Sequence, residues 1–177
     1  MSPFGDCTKG PHGPIGDWDV SGVTKMGGIF SYASGFNRDL SKWDVSSVTS
    51  MGFMFAGAYV FNKDLSKWDV SAVTNMGSMF ARAAAFNQDL STWDVSAVTN
   101  MRSMFSGASA FEHKLCGVAW VNSNAEKSDM FIGSKGSISS AVCETSAPGY
   151  DEGILCLYWI LKRRNILARS RVNRQDT

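Results

Sequence analysis

The chain has 177 residues, 44% of them hydrophobic, and a net charge of +1. That is enough for one domain, and the near-neutral balance leaves no electrostatic footprint for nucleic acid. The charge is uneven: residues 162–177 carry six basic residues and one acidic, leaving 11 basic against 15 acidic elsewhere.

Residues 1–14 hold three Pro and three Gly. This composition predicts an irregular lead-in, and it lacks the apolar stretch of a signal peptide. From there a pattern takes over. Trp18, Trp43, Trp68 and Trp93 recur at one constant interval, each opening a segment such as Trp43-Asp44-Val45-Ser46-Ser47-Val48-Thr49-Ser50-Met51. A fixed period of this size predicts stacked units rather than one globular core. Four units run from residue 15 to 117. A first coil with no obvious cap is what a piece of a longer array would show.

Within a unit, Trp43 and Val45 alternate with Lys42, Asp44 and Ser46, which predicts a short extended segment with one buried and one polar face. Val48, Met51, Met54, Phe55 and Ala58 follow at spacings of three and four, which predicts a short helical or 3₁₀ segment. Ser46 sits where its N-cap belongs. Asn62-Lys63-Asp64 reads as a turn into the next unit. Gly27, Gly28 and Ile29 replace better helix formers in the first unit, which predicts the most mobile coil. The tryptophans and the repeat methionines (26, 51, 54, 76, 79, 101 and 104) recur at fixed inward positions and are read as core rather than as a soft-metal site. No unit can bury its apolar face alone, so like must stack on like. Strands would lie about 4.8 Å apart in a parallel ladder, with right-handed crossovers.

Residues 118–143 are read as a degenerate capping repeat, with Val118-Ala119-Trp120-Val121 as its strand. A one-residue shift then places Met130-Phe131 where Met104-Phe105 predicts. Residues 144–153 form a polar linker. The run Ile154–Leu161 is too short for a bilayer that needs about 20 residues. Packing on the last coil is favoured for it over contact with a membrane surface.

The pattern Leu-x-x-Trp-x-Val-x-x-Val-x-x-Met-x-x-Met-Phe-x-x-Ala-x-x-Phe resembles the BspA-type leucine-rich repeat over roughly residues 15–115. That family comprises bacterial and algal surface proteins. The resemblance implies an α/β repeat fold, a right-handed leucine-rich-repeat-like solenoid. It also implies an extracellular or cell-surface location and attachment to protein or glycan surfaces.

Asp19, Asp44, Asp69 and Asp94 form an aligned column. At about 4.8 Å, adjacent carboxylates would repel by roughly 1 kcal/mol in a watery setting. Hydrogen bonds at the corner are favoured over cations as the offset, because Ca²⁺ wants more oxygens than one carboxylate per coil supplies. The candidate binding face is Lys42, Asp44, Ser46, Lys67, Asp69, Ser71, Thr92, Asp94 and Ser96. No metal site, cofactor or catalytic constellation is expected: His12 lies in the lead-in, His113 at a degenerate turn, and no phosphate loop or zinc spacing occurs. A non-enzymatic binding or adhesion module is therefore the first expectation. A structural scaffold or self-assembling solenoid is the second, and ice or mineral binding through Thr49, Thr74 and Thr99 a remote third. Cys116 and Cys143 are separated by one period plus two positions. With the one-residue shift they fall on adjacent turns within disulfide reach, given an oxidising compartment; free thiols are the competing reading.

Overall fold

The computed structural model of the protein describes residues 12–143. A 3₁₀ turn, Ile15–Asp17, leads in. Successive units of the repeat are then joined in register by backbone bridges: Lys25 to Ser50, Ser50 to Asn75, Asn75 to Asn100, and Asn100 to Glu126, all parallel. The ladder thus runs just before Met51 and its equivalents. The Trp43–Val45 segment is extended, with Trp43 and Val45 buried and Asp44 exposed, but it carries no strand pairing of its own.

The expected helical segment after Val48 is instead a chain of turns. Its N–H groups alternate in use. Met51, Phe53, Phe55 and Gly57 donate to the carbonyls of Asn75, Gly77, Met79 and Ala81 in the next coil, at 2.7–2.9 Å. Met54, Ala56 and Ala58 donate back to Met51, Phe53 and Phe55, at 3.0–3.1 Å. Beyond its first turn an α-helix spends its N–H groups internally. Here half of them join neighbouring coils, and two left-handed residues per coil turn the backbone to allow it. One column is Gly28, Phe53, Ser78, Ser103 and Asp129; the other is Tyr32, Gly57, Arg82, Gly107 and Gly133, all with φ between 55° and 75°. Gly28 therefore suits its position, since glycine adopts positive φ without a Cβ clash. Poor helix formers are no defect at this position, because no helix forms there.

Side chains complete the stack. Phe30, Phe55, Phe80, Phe105 and Phe131 lie face to face, with centroids 5.4–5.6 Å apart. A second column runs Phe36, Phe61, Phe86 and Phe111 at 6.0–6.1 Å. All seven repeat methionines are buried. Each tryptophan also ties coils together. The indole N–H of Trp43, Trp68 and Trp93 reaches the carbonyl of Ile15, Leu40 and Leu65 in the coil before, at 2.9–3.0 Å. Asn62 is not a turn residue. Asn37, Asn62 and Asn87 lie outside the turns, and each side-chain oxygen accepts the N–H of the equivalent residue one coil on, at 3.0–3.1 Å.

The last coil departs from the pattern. Val118–Val121, expected as a strand, is a short helix, α1. Trp120 follows Trp93 by two positions more than the period. A helix advances about 1.5 Å per residue against about 3.3 Å in a strand, so it absorbs the excess. The Trp120 indole still reaches the Leu90 carbonyl at 2.8 Å. Strands β1, Lys114–Leu115, and β2, Ser137–Ile138, then pair in parallel. Cys116 and Cys143 are disulfide-bonded with Cα atoms 5.1 Å apart. Cys7, Cys156, the linker and the apolar run 154–161 lie outside the described residues.

Packing between coils sets the expected cost of losing a tryptophan. Trp68→Ala should cost about 3–5 kcal/mol, and Trp18→Ala distinctly less. Trp68 is buried and bonded to the coil before it, whereas Trp18 is half-buried and reaches the His12 and Gly13 carbonyls of the lead-in. Equal shifts in the denaturation midpoint would contradict a stability set by inter-coil packing. A protease digest of non-reduced protein should yield one peptide pair joined through Cys116 and Cys143, and mass spectrometry that finds both as free thiols would refute the pairing.

Candidate functional site

The polar face is built at the corner after each tryptophan. There the chain turns at Ser46, and the side chain two residues back closes the turn. Asp44 Oδ1 accepts the Ser46 N–H at 3.1 Å and the Ser46 hydroxyl at 2.6 Å. Asp69 holds Ser71 at 3.0 and 2.6 Å, and Asp19 holds Ser21 at 3.0 and 2.7 Å. Asp94 accepts the Ser96 N–H at 3.0 Å. Ser46 is thus a donor to Asp44 and caps no helix.

These bonds favour the ionised carboxylate. The serine hydroxyl first, and its N–H second, hold the carboxyls of Asp19, Asp44, Asp69 and Asp94 below the usual range. Repulsion from Asp69 and Asp19 pushes Asp44 the other way and is the smaller effect. Local hydrogen bonding therefore outweighs the repulsion that the column creates. A second column follows the same logic: Asp39 and Asp64 accept the N–H of Ser41 and Ser66 at 2.9 and 2.8 Å, which lowers both carboxyls.

The third column is less uniform. Lys42 reaches Asp17 at 2.9 Å, an exposed pair. Lys67 is near enough to Asp64 to help lower its pKa. The Thr92 hydroxyl donates to the Ser66 carbonyl at 3.1 Å. The hydroxyls of Thr49, Thr74 and Thr99 likewise donate to the preceding coil's threonine carbonyl, each at 3.1 Å.

The face changes character at the fourth coil. Thr92, Asp94 and Ser96 form one wall of a groove of about 700 Å³, with Ala97 and Thr99. The other wall is α1 and the loop after it: Val118, Ala119, Asn122, Ser123 and Asn124. Of the nine predicted face residues, these three line the groove; the other six, in coils two and three, are exposed. The loop is held in place: the Lys127 ammonium donates to the carbonyls of Ser123 and Ala125 at 2.6 and 3.1 Å. Gly117 starts α1 against coil four, and a Cβ there would collide with the Ser91 carbonyl oxygen. Asn122, Ser123 and Asn124 were not singled out by sequence; the polar Asn-Ser-Asn run after an apolar segment was the available signal.

His12 and His113 belong to different coils' edges. Trp18 donates to the His12 carbonyl, and the His113 ring lies 5.9 Å from Phe111 with Nε2 3.3 Å from the Asn87 carbonyl. Among the described residues, no group of His, Cys, Asp or Glu side chains could hold a metal ion, and no helix is long and apolar enough to cross a membrane.

A family model described as "Mycoplasma protein of unknown function, DUF285" matches residues 1–120. The chain belongs to that family. The match spans the four regular units of this repeat-type family and ends inside α1. No curated protein and no solved structure is significantly similar to the chain.

The lowered carboxyls fix the sign of the acid response. A group with a folded pKa below its unfolded value contributes stability above the unfolded pKa, and loses it as pH falls through the folded one. The thermal midpoint should therefore be flat from neutral pH to about pH 5 and decline below about pH 4. Ser71→Ala should move the Asp69 titration upward, read by carbon NMR of the carboxyl; an unmoved titration would remove the hydroxyl as the cause.

Proposed function

We propose that the protein is a non-enzymatic binding module of BspA type. In this reading it is a right-handed leucine-rich-repeat-like solenoid whose polar corner face contacts a protein or glycan surface outside the cell. The observation that supports it most is the groove at coil four. There the repeated Asp–Ser corner faces a second wall, α1 and a braced loop carrying Asn122, Ser123 and Asn124. Concave sites with a few convergent polar groups are the usual places for recognition. A repeated face also offers equivalent contacts to an extended partner, so weak contacts at several coils can add to one stronger contact in the groove. The Asp–Ser pairs themselves are consumed in closing turns, identically in successive coils, which suits a scaffold for recognition better than a nucleophile and base.

Array binding to glycans and surface proteins tests the reading. Ala97→Arg, which fills the groove from an exposed position, should weaken binding tenfold or more. Ser47→Arg, at the equivalent corner of coil two, should leave it within about twofold, the size of a peripheral contact. A chain with no measurable affinity for any glycan, protein or cell surface would defeat the proposal.

A further inference from the structure

The inter-coil hydrogen bonds have a direction. Met26, Gly28, Phe30 and Tyr32 donate their N–H groups to the carbonyls of Ser50, Gly52, Met54 and Ala56. The same columns repeat to the far end, where Met101, Ser103, Phe105 and Gly107 donate to Glu126, Ser128, Met130 and Ile132. Such a ladder ends differently at its two edges. In the first coil the carbonyls of Lys25, Gly27, Ile29 and Ser31 hold the accepting positions. In the last coil the N–H groups of Lys127, Asp129, Phe131 and Gly133 hold the donating ones. None of these groups has a partner among the described residues. One edge is a row of acceptors and the other a row of donors, at the spacing every internal junction already uses.

A second observation comes from the bridge column. Its members are Lys25, Ser50, Asn75, Asn100 and Glu126. The interior is neutral and the two ends carry opposite charge, both exposed. Edge charges normally discourage pairing, because a copy meeting the same edge meets its own sign. Here the unlike edges would bring lysine onto glutamate. The aromatic column is also unfinished at its end: Phe131 is only half-buried, while Phe55, Phe80 and Phe105 are fully covered.

We propose that the protein associates head to tail with a second copy of itself. The last coil of one molecule adds to the first coil of the next, Lys127, Asp129, Phe131 and Gly133 donating to Lys25, Gly27, Ile29 and Ser31. Lys25 then lies over Glu126, and the Phe30 ring covers Phe131. The contact is heterologous, using different patches on the two partners, so it leaves both outer edges free and propagates into filaments rather than closing as a dimer. None of the junction residues lines the groove, though Ala125 of the lining adjoins Glu126.

Sedimentation of the full chain over a wide concentration range is the test. The weight-average mass should rise without stopping at a dimer. K25E and E126K should each weaken association about tenfold or more, because like charges then meet at the junction. The double variant K25E/E126K should restore it. Glu126 also accepts the Ser128 N–H at 2.8 Å, so E126K alone could disturb its own turn; K25E carries no such risk. A second measurement uses S31C/I132C with Cys7 and Cys156 changed to Ser. These columns become neighbours only between copies, so oxidation should give a ladder of covalent oligomers. A monomer at every concentration, K25E that leaves association unchanged, or an oxidised sample with no ladder would each overturn the proposal.

Discussion

Everything in this molecule depends on how the backbone N–H groups of one short segment are divided. In the second coil the N–H groups of Met51, Phe53, Phe55 and Gly57 go to the next coil and those of Met54, Ala56 and Ala58 close local turns; the donors to the next coil recur in coils one, three and four. Buried backbone donors must all be paired. This division pairs most of them without helix or broad sheet, and it fixes the spacing between coils. The phenylalanine columns, the indole bonds and the asparagine ladder all operate at that spacing. The division needs left-handed residues at two positions per coil, which is why Phe53, Ser78, Arg82 and Ser103 accept a conformation that favours glycine.

The inward columns were legible in the sequence because burial repeats residue type. Trp43, Val45, Met51, Phe55, Phe61 and Leu65 recur from coil to coil, and each is buried. The secondary structure was not legible. Spacings of three and four fit an amphipathic helix, but they fit equally a series of turns whose local bonds span three residues. The signal that separates the two is the recurrence of Gly28, Gly57, Gly107 and Gly133 within the two left-handed columns, partly hidden by Phe53 and Arg82. The asparagine ladder was missed for a related reason. Asn is a common turn former, and only its recurrence at Asn37, Asn62 and Asn87 marks it as an inter-coil acceptor.

The candidate site was half legible. The Asp–Ser corner could be anticipated, since like charges stacked in a column need hydrogen bonds to offset them. The groove could not, because its second wall comes from the coil in which the period breaks. Trp120 keeps its indole bond to Leu90 while its surroundings become helical. The departure from the repeat brings α1 and its loop beside the corner of coil four and forms a groove there, and a segment that ends the pattern also gives the surface its local shape.

The Cys116–Cys143 disulfide gives the stack a preferred direction of failure. It joins positions with a sequence separation of 27. On the chain-entropy view such a closure is worth about 3–4 kcal/mol. Among the described residues the first and last coils have a neighbour on one side only, so a uniform array would fray from both ends alike. With its last coil riveted to the one before, this array should open from the amino-terminal end, one coil at a time, like a zipper with a single slider. Reducing conditions would release the rivet and let it run from either side.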